Sequence, residues 1–174
     1  VGKTRLATEA VAPLLDEFQD GIRFVNLSAL RDDGHVIPAT VQVTGAADQL
    51  LDPRDALLEW LRPRSLVLVL DNCEQVIDGV AAMCSDVLDA APGVIILATS
   101  RIPVRIRGER QLSLEPFFVP DDEHSPIDNP AVRLFAERAT EVQADFSLDP
   151  AATVFELCGH VAAIGDRREP GMFG

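Results

Sequence analysis

The chain has no Tyr, one Trp and eight Phe, so aromatic residues fill only 5% of its 174 positions. That scarcity excludes the row of stacked aromatic side chains on which single-stranded nucleic acids are held. Cations are scarce too: 15 Lys and Arg stand against 28 Asp and Glu, a net charge of −13. A body of that sign repels a phosphate backbone, which excludes direct nucleic-acid binding by this segment. The acidity serves solubility instead. Three cysteines (Cys73, Cys84, Cys158) lie far apart without a Cys-x-x-Cys pair, and the three His share no ligand spacing. A disulfide framework and a zinc site are therefore excluded, and buried reduced thiols in a reducing compartment are expected. No apolar run reaches the roughly 18 residues of a membrane span, and no signal peptide opens the chain. The expected location is cytoplasmic, with no membrane partner.

What remains is an ordinary globular composition, 47% hydrophobic and 25% charged, at a length that suits about one domain. It opens on Val1-Gly2-Lys3-Thr4. Gly-Lys-Thr closes the loop in which backbone N–H groups wrap phosphates, a Lys reaches the outer two and a Thr hydroxyl holds Mg²⁺. The three residues alone are a weak signal, since a Lys at a helix start is common. The next fifteen residues strengthen it. Leu6, Ala7, Ala10, Val11, Leu14, Leu15 and Phe18 have helical spacing over 4–18, with Pro13 as a kink or late-turn marker. A helix N-terminus directly after the motif supplies the free N–H groups and positive dipole end that phosphate binding uses.

Beyond Gly21, residues 22–27 alternate as a strand, and 36–43 are ambiguous between helix and strand. Residues 55–61 read as a short helix. Residues 65–72 are apolar without alternation, as in a parallel strand covered on both faces. A helix with Val76, Ile77, Val80, Ala81, Cys84, Val87 and Leu88 on one stripe comes next and stops at Pro92-Gly93. A second continuous strand runs over 94–99, and 111–114 is a short fourth. Trp60 and Phe135 are expected in the core. A polar linker over 120–130 leads to strong helices at 131–139 and from 149, and the tail beyond 164 has no period. Strands alternating with helices predict an α/β domain with a mainly parallel sheet.

Several residues stand where chemistry would need them. Asp71 ends a buried strand, where a carboxylate is costly unless paired or bound to metal. Ligands of α/β sheets sit beyond the strands' C-terminal ends, which puts Asp71 opposite Thr4, able to share a Mg²⁺ with it. Capping of the following helix is the simpler role for Asp71, and the two are compatible. Asn72 can orient a water but cannot take its proton, which leaves Glu74 as the candidate general base. A Glu in a first helical turn also serves the helix dipole, so slow turnover is expected. Ser100-Arg101 comes directly after the second buried strand, where the Arg could contact a γ-phosphate or pair with a surface carboxylate. Arg105, Arg107 and Arg110 belong to a solvated loop.

Residues 1–7 (VGKTRLA), 66–74 (LVLVLDNCE), 97–101 (LATSR) and 129–139 (NPAVRLFAERA) occur in this order and at these distances. Together they resemble the nucleotide-binding region of the STAND class, the signal-transduction ATPases with numerous domains, related to the NB-ARC modules of plant resistance proteins. The similarity covers roughly residues 1–160 and points to the actinobacterial branch found in LuxR- and AfsR-type transcriptional regulators. The resemblance implies that Gly2, Lys3 and Thr4 are the end of Walker A, Asp71 the Walker B acid and Arg101 the arginine after the sensor strand. It also implies that the family's first strand belongs between those ending at Thr99 and Leu114. That strand and the Gly-rich half of the loop lie outside the sequence, which is expected to be a fragment truncated within Walker A. Near Cys158-Gly159-His160 the family continues into Gly-Leu-Pro-Leu-Ala, and this chain departs from it with Val161-Ala162-Ala163-Ile164-Gly165.

The expectation is a P-loop NTPase three-layer sandwich over 1–118, followed by a partial helical domain over 119–174. Its function would be an ATP/ADP switch with Mg²⁺ as cofactor, working with other domains of a regulator that could oligomerise. Hydrolysis would be slow or absent. A turning-over AAA-type ATPase and a scaffold that has lost its nucleotide are the alternatives.

Overall fold

The computed structural model of the protein describes residues 2–46, 48 and 50–115. Its described helices and strands all belong to the first of the two units into which the chain divides, Val1–Ser113 and Leu114–Gly174. Their centre is β2 (Leu66–Asp71), buried at every position. It pairs in parallel with β1 (Ile22–Asn26) on one side and β3 (Val94–Ala98) on the other. Asn26 lies opposite Asp71 and Ala98 opposite Leu70, so the C-terminal ends of the three strands are level.

The unbroken apolar run of β2 has a direct cause in this arrangement. Val67 and Val69 pack on Ala7 and Val11 of α1 (Lys3–Val11). Leu66, Leu68 and Leu70 enter the larger cluster on the other face, where α2 (Val36–Thr44), α3 (Pro53–Leu61) and α4 (Ile77–Ala90) supply Val36, Leu57, Leu61, Val80, Met83 and Val87. A strand covered on both sides must be apolar on both sides. Burying each such Leu or Val favours the fold by about 1.5–3 kcal/mol over leaving it in water. The described residues thus form a mixed α/β structure with a small parallel sheet, as the alternation of patterns leads one to expect.

Several local outcomes sharpen or correct the sequence expectation. The first helix does not run to residue 18 as α-helix: after Val11 it tightens into a 3₁₀ segment, Ala12–Asp16. Pro13 has no N–H to give, and its ring crowds the carbonyl four residues back. Leu14 and Phe18 nonetheless keep packing beside α1. The ambiguous stretch becomes α2, with its buried Thr hydroxyls satisfied within it: Thr40 and Thr44 donate to the carbonyls of Val36 and Thr40 at 2.9 and 2.8 Å. The strand expected over 111–114 does not form. No partner strand lies against it among the described residues, and Leu112 is 80% exposed. The helices expected at 131–139 and from 149, Phe135 and the boundary at 118 lie outside the described residues.

The elements around the sheet are held by specific contacts. Asp52 caps α3 by accepting the Arg54 N–H at 3.0 Å. Arg54 in turn grips Asp86 of α4 with two bonds of 2.6 and 2.7 Å. Gly93 precedes β3 at a point where an added Cβ would stand 2.4 Å from the Arg64 carbonyl oxygen, so only glycine fits between α4 and β3. Trp60, expected in the core, is only partly buried against it, and the Arg64 guanidinium covers its ring at 3.7 Å. No helix among the described residues is long and apolar enough to cross a membrane.

Candidate functional site

At the level C-terminal ends of β2 and β3, the N-terminus of α1 meets the sheet. Gly2 caps α1 with φ of +95°, a left-handed conformation that costs glycine little and other residues much. No neighbour lies within 4 Å of where its Cβ would be, so the glycine is required by backbone geometry and not by space. Having no side chain, it puts no capping oxygen on the first-turn amides, which keep the partial positive charge of a helix start. Lys3 is the first residue of α1 and Thr4 the second.

Thr4 Oγ1 lies 2.8 Å from Oδ1 and 3.0 Å from Oδ2 of Asp71, across 67 positions of sequence. Asp71 is 1% exposed, so its carboxylate must be matched by donors. Besides the Thr4 hydroxyl it receives two. The Thr99 hydroxyl donates to Oδ1 at 2.5 Å, and the Asn72 amide donates to Oδ2 at 2.9 Å. No buried side-chain polar atom among the described residues lacks a partner. Asp71 makes no capping bond to the helical turns after it, which start at Asn72 and Val76 without side-chain caps. The simpler capping role is therefore not the one the structure gives it.

These oxygens fit a hard divalent cation. Mg²⁺ takes few protein ligands, commonly one or two carboxylates together with phosphate oxygens. The Thr4 hydroxyl has its proton directed at Asp71, which keeps an oxygen lone pair for a cation. A group of three or more His, Cys, Asp or Glu able to cage a metal does not occur among the described residues.

Glu74 and Arg101 come together, but with each other. Arg101 Nε lies 3.3 Å from Glu74 Oε1, the Arg side chain being 80% exposed and the Glu 16%. Glu74 sits in the short 3₁₀ turn Cys73–Gln75 and Arg101 just past β3, so the strand ends that carry Asp71 also carry this pair. Arg105, Arg107 and Arg110 lie in the loop beyond. Cys73 and Cys84 are buried free thiols, and burial pushes both up to about 12. Cys158 lies outside the described residues.

Sequence reasoning missed Thr99 as a site residue and did not foresee the bond from Asn72 to Asp71. Thr99 is only 6% exposed and bonds on three sides. Its N–H donates to the Leu70 carbonyl at 2.8 Å, its carbonyl accepts the Cys73 N–H at 3.0 Å, and its hydroxyl accepts the Asn72 N–H at 3.1 Å. The local signal was slight: a hydroxyl residue follows the continuous apolar run of β3, a strand expected to be buried but buried only at Val94. Asn72, with φ of +62°, donates its side-chain amide back to Asp71.

Comparison with known proteins adds kinship. The chain is 35% identical over 167 residues to "Putative HTH-type transcriptional regulator Rv0890c" of Mycobacterium tuberculosis, with 94% of this chain and 18% of that protein aligned. A protein of the same description in Mycobacterium bovis aligns equally well. An uncharacterized M. tuberculosis protein is 31% identical over 161 residues, covering 91% of this chain and 39% of its own length. The chain thus spans less than a fifth of the regulators it resembles. No family model and no solved structure matches it.

Proposed function

We propose that this chain is the nucleotide-binding switch of a larger transcriptional regulator. Its fold would be a P-loop NTPase three-layer sandwich over residues 1–118, with a partial helical domain over 119–174. The observation that carries this reading is the Thr4–Asp71 contact, a helix-start hydroxyl meeting a strand-end carboxylate over 67 positions of sequence. The regulator name borne by relatives supports the setting. DNA would be bound by a separate domain, since the net charge of this segment opposes it.

In this reading Gly2, Lys3 and Thr4 receive the phosphates of ATP or ADP. The helix start and the Lys3 ammonium supply positive charge, and Thr4 and Asp71 hold Mg²⁺. A Mg²⁺ held by Thr4 and Asp71 would supply positive charge against the phosphates. Arg101 would exchange its partner Glu74 for the outermost phosphate, which ADP lacks. That difference would bias the domains of the parent protein between two arrangements. Glu74, released by that exchange, would then be the candidate base beside the site, and slow or no turnover is expected of the switch. The test is titration of ATP and ADP in excess MgCl₂ into wild-type protein and Lys3→Ala. Removing a charge-assisted phosphate contact should weaken both nucleotides by about 10- to 100-fold. Equal binding by the two proteins, or none by either, overturns the reading.

A further inference from the structure

Around Asp71 the three donors are not equivalent. Thr4 reaches both oxygens from a helix of its own, whereas Thr99 and Asn72 belong to the strand ends beside Asp71. A hydroxyl has one proton, and that of Thr99 cannot go elsewhere: its oxygen already accepts the Asn72 N–H, and a carboxylate only accepts. The main chain of Thr99 is fixed at both ends by bonds to Leu70 and Cys73, so the hydroxyl is aimed by the sheet itself. From this geometry we infer that Thr99 is the positioning residue of the cation site. It holds Oδ1 of Asp71 so that the carboxylate keeps its orientation when the Thr4 hydroxyl turns from a hydrogen-bond partner into a fellow ligand. The inference rests on the nucleotide reading above and adds to it the residue that sets how strongly Mg²⁺ contributes.

The arrangement also explains why a buried Thr, and not Val, ends this ladder. Val has nearly the same shape, but only Thr gives Asp71 Oδ1 a donor besides the Thr4 hydroxyl. Residues that act on a metal through one of its ligands typically change metal affinity by about 10- to 100-fold when lost.

The test compares ATP affinity in excess MgCl₂ with that in EDTA, by titration calorimetry, for wild type, Thr99→Val and Thr99→Ser. The expected result is a Mg²⁺-dependent gain reduced about 10- to 100-fold in Thr99→Val, restored by Thr99→Ser, with EDTA affinity the same in all three. A purely structural role would lower melting temperature but leave the Mg²⁺-dependent gain intact, and that outcome overturns the inference. Should Thr99→Val fail to fold, Thr99→Ala, which removes the hydroxyl without placing a methyl against Asp71, is read the same way. Absence of ATP binding by wild type would instead overturn the nucleotide reading, and the role of Thr99 with it.

Discussion

Arg101 and Glu74, the residues that sequence put forward for chemistry, are 3.3 Å apart and paired with each other. The pair is mostly in water on the Arg side, where such contacts contribute at most about 1 kcal/mol to stability. Arg101→Ala should therefore leave the melting temperature nearly unchanged. In the proposed switch it should weaken ATP more than ADP, measured by paired titrations. Equal loss for both nucleotides would remove Arg101 from the recognition of the outermost phosphate.

Gly79 is a second position where two effects compete. It lies inside α4, where Ala is favoured over Gly by about 0.8–1.0 kcal/mol. Yet its N–H donates to Asp33 at 2.8 Å, and an added Cβ would stand 2.5 Å from the Asp33 carbonyl oxygen. Backbone atoms cannot rotate aside, and overpacking of this kind costs about 1–3 kcal/mol. Gly79→Ala should be net destabilising in urea unfolding; a stabilised variant would mean that the 33–35 turn moves freely.

How much of the fold and site was legible in the residues varies with the signal. LVLVLD announced a strand buried on both faces because nothing polar interrupts it, and Asp71 announced a site because it ends that strand. The 36–44 stretch was ambiguous because Val, Ile and Thr favour strands by shape, while Thr hydroxyls can also bond back along a helix. QLSL over 111–114 carries the alternation of a strand but no partner, and alternation does not supply one. Thr99 went unnoticed because its importance comes from the register of β3 on β2, a fact of pairing that no local pattern contains.

The Arg54–Asp86 pair gives a pH dependence. The bidentate bond from Arg54 holds the Asp86 carboxyl below its ordinary 3.8. A depressed carboxyl stabilises the fold above its unfolded value, and that contribution is lost as pH falls through the lower folded value. Asp86→Asn should thus be less stable than wild type at neutral pH, with the difference shrinking as pH drops below about 3.8. A difference independent of pH in urea melts would deny the pair any electrostatic part.

Burial pushes the thiols of Cys73 and Cys84 up to about 12, so near pH 8 both are protonated and unreactive. In a Cys158→Ser background, a thiol reagent should label neither residue in the native protein and both in urea. Rapid native labelling would show that the core around β2 and α4 opens.

In the proposed switch Thr4 and Asp71 meet to share a cation on a nucleotide. The most direct test of that sharing is the melting temperature of wild type and Asp71→Asn with ATP and MgCl₂, with ATP and EDTA, and with MgCl₂ alone. Saturation at 100 times Kd should stabilise wild type by about 2.7 kcal/mol with ATP and MgCl₂ and by less with the same ATP and EDTA, and Asp71→Asn should lose the difference. A wild-type protein indifferent to all three conditions would contradict the account.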